Sequence, residues 1–301
     1  MSTLPVEVRG LEKRYGTIPA VDSVDLTVEA GDIYGYLGPN GAGKTTTLRM
    51  LLGLIRRDGG SVKLFGRDPA RGIEALADVA GFVESPTFYP YLSGSENLRL
   101  LGALDGGANR RRVDEALEQV GLTDRARDRV GTYSLGMRQR LGIAAALMRS
   151  PKLLVLDEPA NGLDPAGMRA MRALVASLPA QGVTVLYSSH LLADVEEVCN
   201  RVAIVNDGKI AFEGRLDELR ASFGGSYRIE TSDDPRALEA ALAQGVQDPV
   251  LEHGALWLDA SQDVIDRLTV ELGRGGIAIR HLAREQRSLE DLFFRLTEDK
   301  A

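Results

Sequence analysis

The sequence contains almost none of the features of disulfide-stabilised, zinc-binding or membrane-spanning proteins. Cys199 is the one cysteine in 301 residues. A single cysteine excludes an intramolecular disulfide and a cysteine-based zinc site, and it indicates a small core residue. No apolar run approaches the roughly 18 to 20 residues needed to cross a bilayer. The chain also does not open with a basic segment followed by an apolar one. We therefore expect a cytoplasmic protein that does not itself form a membrane pore.

Positive charge is scarce relative to negative charge. The chain has 36 Lys and Arg against 43 Asp and Glu, which gives a net charge of −7. Binding to a nucleic-acid backbone rests on clustered basic residues, so this balance argues against nucleic acid as a partner. Hydrophobic residues at 44% and charged residues at 26% are ordinary for a globular protein. The length allows one large domain followed by a smaller one.

One segment has the pattern of a phosphate-binding loop. Gly38-Pro-Asn-Gly-Ala-Gly-Lys-Thr-Thr46 matches G-x-x-x-x-G-K-[ST], with a buried strand predicted at 31–37 and a helix predicted to open at Thr45-Thr46. Glycines allow the backbone to bring amide groups to anionic oxygens. Lys44 would place its charge between the β- and γ-phosphates, and Thr45 would offer its hydroxyl to Mg²⁺. The pattern predicts ATP and Mg²⁺ as cofactors, with the nucleotide held by Gly38, Asn40, Gly41, Gly43, Lys44, Thr45 and Thr46.

A second segment predicts the metal and water side of the same site. Leu153-Leu-Val-Leu-Asp157-Glu158 is an apolar strand that ends in two acids. Such strands are buried on both faces of a parallel sheet, and their carboxyl ends meet where α/β sheets bind ligands. Asp157 is predicted to ligate Mg²⁺, and Glu158 is predicted to polarise the attacking water. Apolar strands ending in acids are common for structural reasons, so the prediction depends on the pairing with Lys44.

The segment between these two motifs resembles the signature of a known protein family. Tyr133-Ser134-Leu135-Gly136-Met137-Arg138-Gln139-Arg140 leads into a helix predicted at 141–148. It resembles the signature L-S-G-G-Q-R-Q-R of the nucleotide-binding subunits of ABC transporters, which it matches at five of its eight positions. The resemblance implies that Ser134 and Gly136 contact the γ-phosphate of an ATP held by a second subunit. An ordinary helix with Ser134 as its N-cap is the structural alternative.

The resemblance extends to three further positions. Asp164, in Asn161-Gly-Leu-Asp164, corresponds to the D-loop residue that connects the two ATP sites across a dimer. His190 corresponds to the switch histidine, which contacts the γ-phosphate and orients the attacking water. Tyr15 resembles the aromatic residue on which adenine stacks, with a simple turn residue as its alternative. The remaining histidines, His253 and His281, are interpreted as structural.

The chain departs from the family at Glu84. Family members usually have a Gln there that senses Mg²⁺ and the transport partner. A carboxylate can also ligate Mg²⁺, but it adds negative charge near an anionic γ-phosphate. Glu84 followed by Phe88-Tyr-Pro90 resembles the branch that exports bacitracin-like peptides and other antibiotics. We therefore expect Glu84 to join Thr45 and Asp157 as a metal ligand and to sense the partner.

The resemblance implies an α/β fold: a P-loop NTPase with a RecA-like core and the antiparallel β and helical subdomains of the ABC type. The ATP-binding domain is predicted at 1–222, with its helical subdomain at about 92–150. A small α+β domain is predicted at 223–301, where the βαββαβ order suggests a ferredoxin-like unit and 288–296 predicts a final amphipathic helix. Arginines within 110–129 would form either a solvated face or a basic surface for lipid or a membrane subunit.

The combined hypothesis is an ATPase with Lys44, Glu158 and His190 as catalytic residues. The resemblance implies a homodimer that closes head to tail around ATP and drives an integral membrane permease from the inner face of the cell membrane. Export of an antibiotic, peptide, drug or lipid-like substrate is the expected direction. Two alternatives stay open: a soluble ABC-type ATPase that remodels ribosomes or DNA without a permease, and a regulatory module that signals its nucleotide occupancy.

Overall fold

A computed structural model describes residues 3–104, 109–222, 226–247, 249–252 and 254–285 of the chain. The chain divides into two compact units, 1–214 and 215–301. The boundary predicted from sequence, at 222–223, follows the short helix that the structure assigns to the second unit. The glycine pair at 224–225 that suggested it lies outside the described residues. His253 and the predicted final helix at 288–296 also lie outside them.

The first unit contains two sheets with helices packed on them. Its strands are, in chain order, β1 (Val6–Tyr15), β2 (Ile18–Val28), β3 (Ile33–Leu37), β4 (Gly59–Leu64), β5 (Val79–Phe82), β6 (Leu153–Asp157), β7 (Thr184–Ser189), β8 (Arg201–Asn206) and β9 (Lys209–Arg215). Its helices are α1 (Lys44–Leu51), α2 (Gly94–Leu104), α3 (Arg110–Gln119), α4 (Leu135–Leu147), α5 (Pro165–Ser177) and α6 (Leu192–Val198).

The smaller sheet of this unit is antiparallel, with the strand order β2-β1-β4. Alternate residues of β1 are buried, including Val6 and Val8, as expected for a sheet with one face on the core. These side chains share one hydrophobic core with Leu48 of α1 and Tyr36 of β3. Burying such a side chain stabilises the fold by about 1.5–3 kcal/mol. This core therefore fixes helix α1 between the two sheets.

The larger sheet has the order β5-β6-β7-β3-β8-β9. Strands β5, β6, β7, β3 and β8 run parallel to one another, and every residue of β3, β6 and β7 is buried. The register aligns Leu37 with Ser189 and Asp157 with Ser188. The ends of three central strands therefore meet at one edge. The phosphate loop, the acidic pair and His190 all follow directly from this edge, as the sequence predicts.

Helices α2, α3 and α4 form the predicted helical region, and two predicted helix starts need correction. Helix α4 begins at Leu135, inside the signature motif and well before the predicted start at 141. It starts there because the Ser134 hydroxyl accepts a hydrogen bond from the Met137 amide and caps the first turn. Helix α1 begins at Lys44, slightly earlier than the predicted opening, because Gly43 already adopts the left-handed conformation that ends the loop.

The second unit begins with α7 (Leu216–Ser222) and continues as β10 (Ser226–Thr231), α8 (Asp234–Ala243), β11 (Val250–Glu252), β12 (Ala255–Asp259), α9 (Gln262–Arg274) and β13 (Ile279–Glu285). From β10 onward this is the predicted βαββαβ order. The strands form an antiparallel sheet ordered β11-β12-β10-β13, in which β12 lies between β10 and β11. Ile229 and Leu268 belong to its separate hydrophobic core. His281, interpreted as structural, lies on β13.

Candidate functional site

The loop between β3 and α1 can be built only with glycine at two of its positions. A Cβ on Gly38 would lie 2.4 Å from the Val205 carbonyl oxygen, and a Cβ on Gly43 would lie 2.2 Å from the Ala20 carbonyl oxygen. Gly43 also has a φ of +98°, and Gly41 has a φ of +87°, a region that glycine enters without steric cost. The pattern identified in the sequence is therefore required by the local backbone.

The N-terminus of α1 is open to an anion. Its cap residue is Gly43, which has no side chain to satisfy the first amides of the helix. The first turn contains Lys44, Thr45 and Thr46, so it presents no negative charge. Amide groups and the positive end of the helix dipole therefore converge at the point where the loop ends.

Lys44 is the central cation of this region and is 96% buried, since only 4% of it is exposed. Its Nζ donates hydrogen bonds to the carbonyl oxygens of Gly38 and Pro39, at 2.8 and 3.1 Å. The same Nζ lies 3.2 Å from Oε1 of Glu158. The Lys44 charge is therefore held at the mouth of the loop by two carbonyl dipoles and one carboxylate.

The acidic pair connects β6 to both neighbouring motifs. Asp157 is buried, and its Oδ2 accepts a hydrogen bond of 2.9 Å from the Thr45 hydroxyl. Oε2 of Glu158 lies 2.9 Å from Nδ1 of His190, which follows β7. Glu158 has a φ of +46°, a conformation that is uncommon for residues other than glycine. The three predicted catalytic residues Lys44, Glu158 and His190 thus form one continuous chain of contacts.

A cleft of about 360 Å³ lies beside these residues. Its lining consists of polar side chains from the loop, the acidic pair and the helical region: Asn40, Thr45, Glu84, Ser85, Gln139, Asp157, Glu158 and Asn161. Gln139 is 97% buried, and within the described part of the chain its Oε1 has no hydrogen-bond partner. A buried amide oxygen normally has a partner, so this atom indicates a polar ligand or ordered water in the cleft.

Glu84 lines the cleft, but it is engaged elsewhere. It has a φ of +71°, and its carboxylate forms an ion pair with Arg49 of helix α1. Both side chains are substantially exposed, so the pair contributes little to stability. Glu84 therefore lies at the predicted wall of the site with its charge balanced by Arg49, and its metal-binding role stays a prediction.

Four predicted site residues lie outside this convergence. Ser134 caps α4, and Asp164 caps α5 by accepting a hydrogen bond of 3.1 Å from the Gly167 amide. Neither they nor Gly136 belong to the described residues that line the cleft. Tyr15, at the end of β1, is half exposed, and the Lys13 ammonium lies 5.7 Å from the centre of its ring. Its adenine-stacking role also stays a prediction.

Several polar side chains of the site have no individual role predicted from the sequence, among them Gln139 and Ser188. Gln139 appears only as a match within the signature motif, and no prediction is made for Ser188. The Ser188 hydroxyl is fully buried and contacts the Asp157 carboxylate and the Glu158 amide. A polar residue at the carboxyl end of a buried strand was the available signal for Ser188, but its two partners depend on the register of β6 and β7.

Burial keeps the Tyr36 hydroxyl and the Cys199 thiol neutral. The Tyr36 hydroxyl lies 3.3 Å from the Thr47 hydroxyl beneath the loop, and burial raises the pKa of Tyr36 to about 12. Burial also raises the pKa of the Cys199 thiol, with Asp194 as a smaller cause. Cys199 is therefore a buried core residue, in agreement with the interpretation from sequence. The charges of the site come from Lys44, the acidic pair and their neighbours.

The residues present fit a nucleotide triphosphate with Mg²⁺. The Gly38 and Gly43 positions, the open helix N-terminus and Lys44 match a chain of phosphates. Within the described ranges no group of three or more His, Cys, Asp or Glu side chains could chelate a metal by itself. Mg²⁺ is commonly held by one or two protein oxygens together with substrate phosphates. Thr45 and Asp157, joined by a hydrogen bond, supply such a pair.

Comparison with known proteins agrees with this geometry. The family model described as "ABC transporter" matches residues 21–161. The chain is 39% identical to the bacitracin transport ATP-binding protein BcrA of Bacillus licheniformis, over 98% of both chains. It is 37% identical to the daunorubicin/doxorubicin resistance ATP-binding protein DrrA of Streptomyces peucetius, over 99% of this chain and 94% of that one.

Two solved structures extend the comparison to three dimensions. An ATP-binding subunit of an ABC transporter superposes with a TM-score of 0.65 at 32% identity, over 73% of this chain and 93% of that one. The dimeric post-hydrolysis state of an ATP-binding cassette bound to ADP and Pi superposes with a TM-score of 0.63 at 25% identity, over 70% of this chain and 98% of that one.

Proposed function

Because the chain belongs to the family of ABC transporter ATP-binding proteins, we propose that it drives export of an antibiotic, peptide, drug or lipid-like substrate through a separate membrane permease. It is an ATP-binding and ATP-hydrolysing subunit of a transporter. The names of its relatives refer to bacitracin transport and to daunorubicin resistance, which favours export over a soluble remodelling or purely regulatory role. In the described part of the chain, no helix has the length and hydropathy of a membrane span.

One observation carries the assignment of the site: Glu158, which follows β6, contacts both Lys44 at 3.2 Å and His190 at 2.9 Å, and these two residues follow two other strands of the same sheet. We assign ATP binding to the glycine loop, to Lys44 and to the amides of α1. The phosphates would replace the Glu158 carboxylate as the partner of the Lys44 ammonium. Lys44 would then offset the charge that develops on the transferring phosphoryl group.

Glu158 and His190 are proposed to place the attacking water. Their side chains are joined at 2.9 Å, so the imidazole restrains the carboxylate next to the phosphate loop. A carboxylate held in this way accepts a hydrogen bond from the water and directs it toward the γ-phosphate. Mg²⁺, bound to Thr45 and Asp157, would supply further charge stabilisation at the phosphate oxygens.

The other wall of the site is proposed to come from a second copy. Among the described residues, a Cβ on Gly136 would meet nothing closer than Leu163 at 3.5 Å, which is an ordinary contact. The packing of the chain itself therefore does not require glycine there. Close approach of a ligand from outside would require it. Ser134 is exposed at the N-terminus of α4, so its hydroxyl and the Gly136 amide could receive the γ-phosphate of the partner's ATP.

The permease is proposed to contact the surface next to Glu84, at the inner face of the membrane. A groove of about 350 Å³ begins at Thr87 and is lined by Phe88, Tyr89, Asn97, Leu100 and Leu101. Tyr89 is 50% exposed and Leu100 is 43% exposed. Exposed apolar side chains grouped in this way mark interaction surfaces. Glu84 and Ser85 line the ATP cleft, so segment 84–89 connects this surface directly to the nucleotide.

The composite site is tested by placing a bulky cation at Ser134. We expect Ser134→Arg to abolish ATP turnover while the isolated subunit still binds ATP, because binding uses the glycine loop and turnover also needs the second copy. Thr132→Arg is the matched control, since it adds the same side chain at an exposed hydroxyl residue two positions earlier. If Ser134→Arg hydrolyses ATP as fast as the unmodified protein, the proposal that a second copy completes the site is wrong.

The transport role has its own test. The subunit should co-purify from detergent-solubilised membranes with an integral membrane protein, and Leu101→Glu in the groove should reduce the yield of that protein without weakening ATP binding. Association with ribosomes instead would favour a remodelling factor. Equal recovery of the membrane protein with Leu101→Glu would exclude the groove as the contact surface.

A further inference from the structure

Ser188 is a buried residue at the active-site edge of the sheet that has no role in the proposed function. It lies near the end of β7, opposite Asp157 in the parallel register and two residues before His190. Its side chain is fully buried. A buried hydroxyl needs a donor and an acceptor to satisfy it, and Ser188 finds both of them on the acidic pair.

The first bond fixes the metal carboxylate. The Ser188 hydroxyl donates to Oδ1 of Asp157 at 2.5 Å, while the Thr45 hydroxyl donates to Oδ2 at 2.9 Å. Each oxygen of this buried carboxylate therefore has its own donor, and the two donors restrain rotation about the Cβ–Cγ bond. In this orientation Oδ2 is the oxygen that faces Thr45 and the phosphate loop.

The second bond fixes the backbone of the next residue. The Glu158 amide donates to the Ser188 hydroxyl at 3.0 Å and to the Ser188 carbonyl oxygen at 3.2 Å. Glu158 has a φ of +46°, and a conformation of this type persists only when the surroundings hold it in place. One hydroxyl thus receives the amide of the water-positioning acid and donates to the metal-binding acid.

We propose that Ser188 is a positioning residue for hydrolysis, which couples the orientation of Asp157 to the strained backbone of Glu158. The proposal rests on the metal and water roles assigned above to these two acids. Loss of the hydroxyl leaves one oxygen of Asp157 without its donor and removes one acceptor of the Glu158 amide. Each acid then loses one of the restraints on its orientation, although neither has been altered.

The adjacent residue Ser189 provides a matched control. It is also a buried serine of β7, but its hydroxyl accepts a hydrogen bond of 2.9 Å from the Leu191 amide and lies 3.2 Å from Oδ2 of Asp194. Its hydroxyl bonds are therefore directed to the start of α6. Ser188→Ala and Ser189→Ala remove the same atom at neighbouring positions, so they separate loss of a buried hydroxyl from loss of the bonds to the acidic pair.

The test measures metal binding as well as turnover. Mn²⁺ replaces Mg²⁺ and is titrated by electron paramagnetic resonance into the full chain in the presence of a non-hydrolysable ATP analogue. Loss of a group that orients a metal ligand typically weakens metal binding by about 10- to 100-fold. We expect Ser188→Ala to show a loss in this range and a fall in kcat, with little change in the affinity for ATP in EDTA. Ser188→Thr, which keeps a hydroxyl, should recover most of both.

The possible outcomes separate this inference from the assignment beneath it. If Ser188→Ala weakens Mn²⁺ binding no more than Ser189→Ala does, the positioning role is wrong. If Ser188→Thr folds, as judged by its melting curve, yet behaves like Ser188→Ala, the hydroxyl is not the active feature and the proposal is also wrong. Asp157→Asn is measured in parallel: if it leaves Mn²⁺ affinity unchanged, the metal assignment of Asp157 itself fails.

Discussion

Replacing Glu158 by Gln is expected to strengthen nucleotide binding, although it removes the acid assigned to the attacking water. In the structure the Glu158 carboxylate lies 3.2 Å from the Lys44 ammonium, which is the position that a phosphate oxygen is proposed to take. ATP must therefore displace one anion from Lys44 before it can bind there. Glutamine keeps the size of the side chain but removes this competing charge.

The magnitude follows from the geometry. Two unit charges 3.2 Å apart attract by about 5 kcal/mol at an effective dielectric constant of about 20, which is an upper limit because desolvation opposes it. Net contributions of hydrogen bonds to charged groups are about 1.5–3 kcal/mol. Glutamine can retain part of this interaction through its amide oxygen. A net gain of about 1 kcal/mol remains, which corresponds to an affinity about fivefold higher.

The assay is a fluorescence titration with an ATP analogue in EDTA, where neither metal nor hydrolysis contributes. Glu84→Gln is the matched control, because it neutralises a carboxylate that lines the same cleft but pairs with Arg49. An affinity for Glu158→Gln no higher than that of Glu84→Gln or of the unmodified protein would refute competition at Lys44. With Mg²⁺ restored, Glu158→Gln should also accumulate as an ATP-bound dimer in light scattering.

Two further predictions concern stability. Gly38→Ala would place a Cβ 2.4 Å from the Val205 carbonyl oxygen, so we expect ATP binding to be lost and denaturant unfolding to show a destabilisation of about 3 kcal/mol. Gly273→Ala in α9 is the control, because within the described residues a Cβ there meets no atom of another element within 4 Å and its backbone is helical. A comparable destabilisation by Gly273→Ala would contradict the steric explanation. Asp194 forms a largely buried ion pair with Arg172, at 2.6 Å. Asp194→Asn breaks this pair and should destabilise the chain by about 3 kcal/mol. An unchanged melting temperature would show that the pair contributes nothing to stability.

The site residues that the sequence pattern identified are those whose role is set by residues a few positions away in the chain. The loop from Gly38 to Thr46 combines glycine, a cation and a hydroxyl within a short stretch of chain, so its strand, turn and helix context is predictable from the local pattern alone. The strand that ends in Asp157 and Glu158 is predictable for the same reason, since a continuous apolar run is typical of a buried parallel strand. The element order of the second unit also follows from short-range periodicity and turn residues.

The predicted helix starts were less accurate, because the residue that caps a helix can lie inside a sequence motif. The helix that follows Ser134 begins inside the signature, where the serine hydroxyl satisfies an amide of the first turn. The helix therefore begins at Leu135, six residues before the start predicted at 141. The domain boundary depended on a glycine pair, whereas the division of the chain into compact units precedes α7.

The amino-acid sequence by itself determined the glycine loop, the lysine, the two acids and the histidine, because each belongs to a contiguous pattern whose geometry is set within a few residues. Only the tertiary structure decided which of these side chains meet. The contacts of Lys44 with Glu158, of Glu158 with His190, and of Ser188 with both acids all cross between strands. Such contacts are set by strand order and register, which residues far apart in the chain determine together through the packing of one shared core.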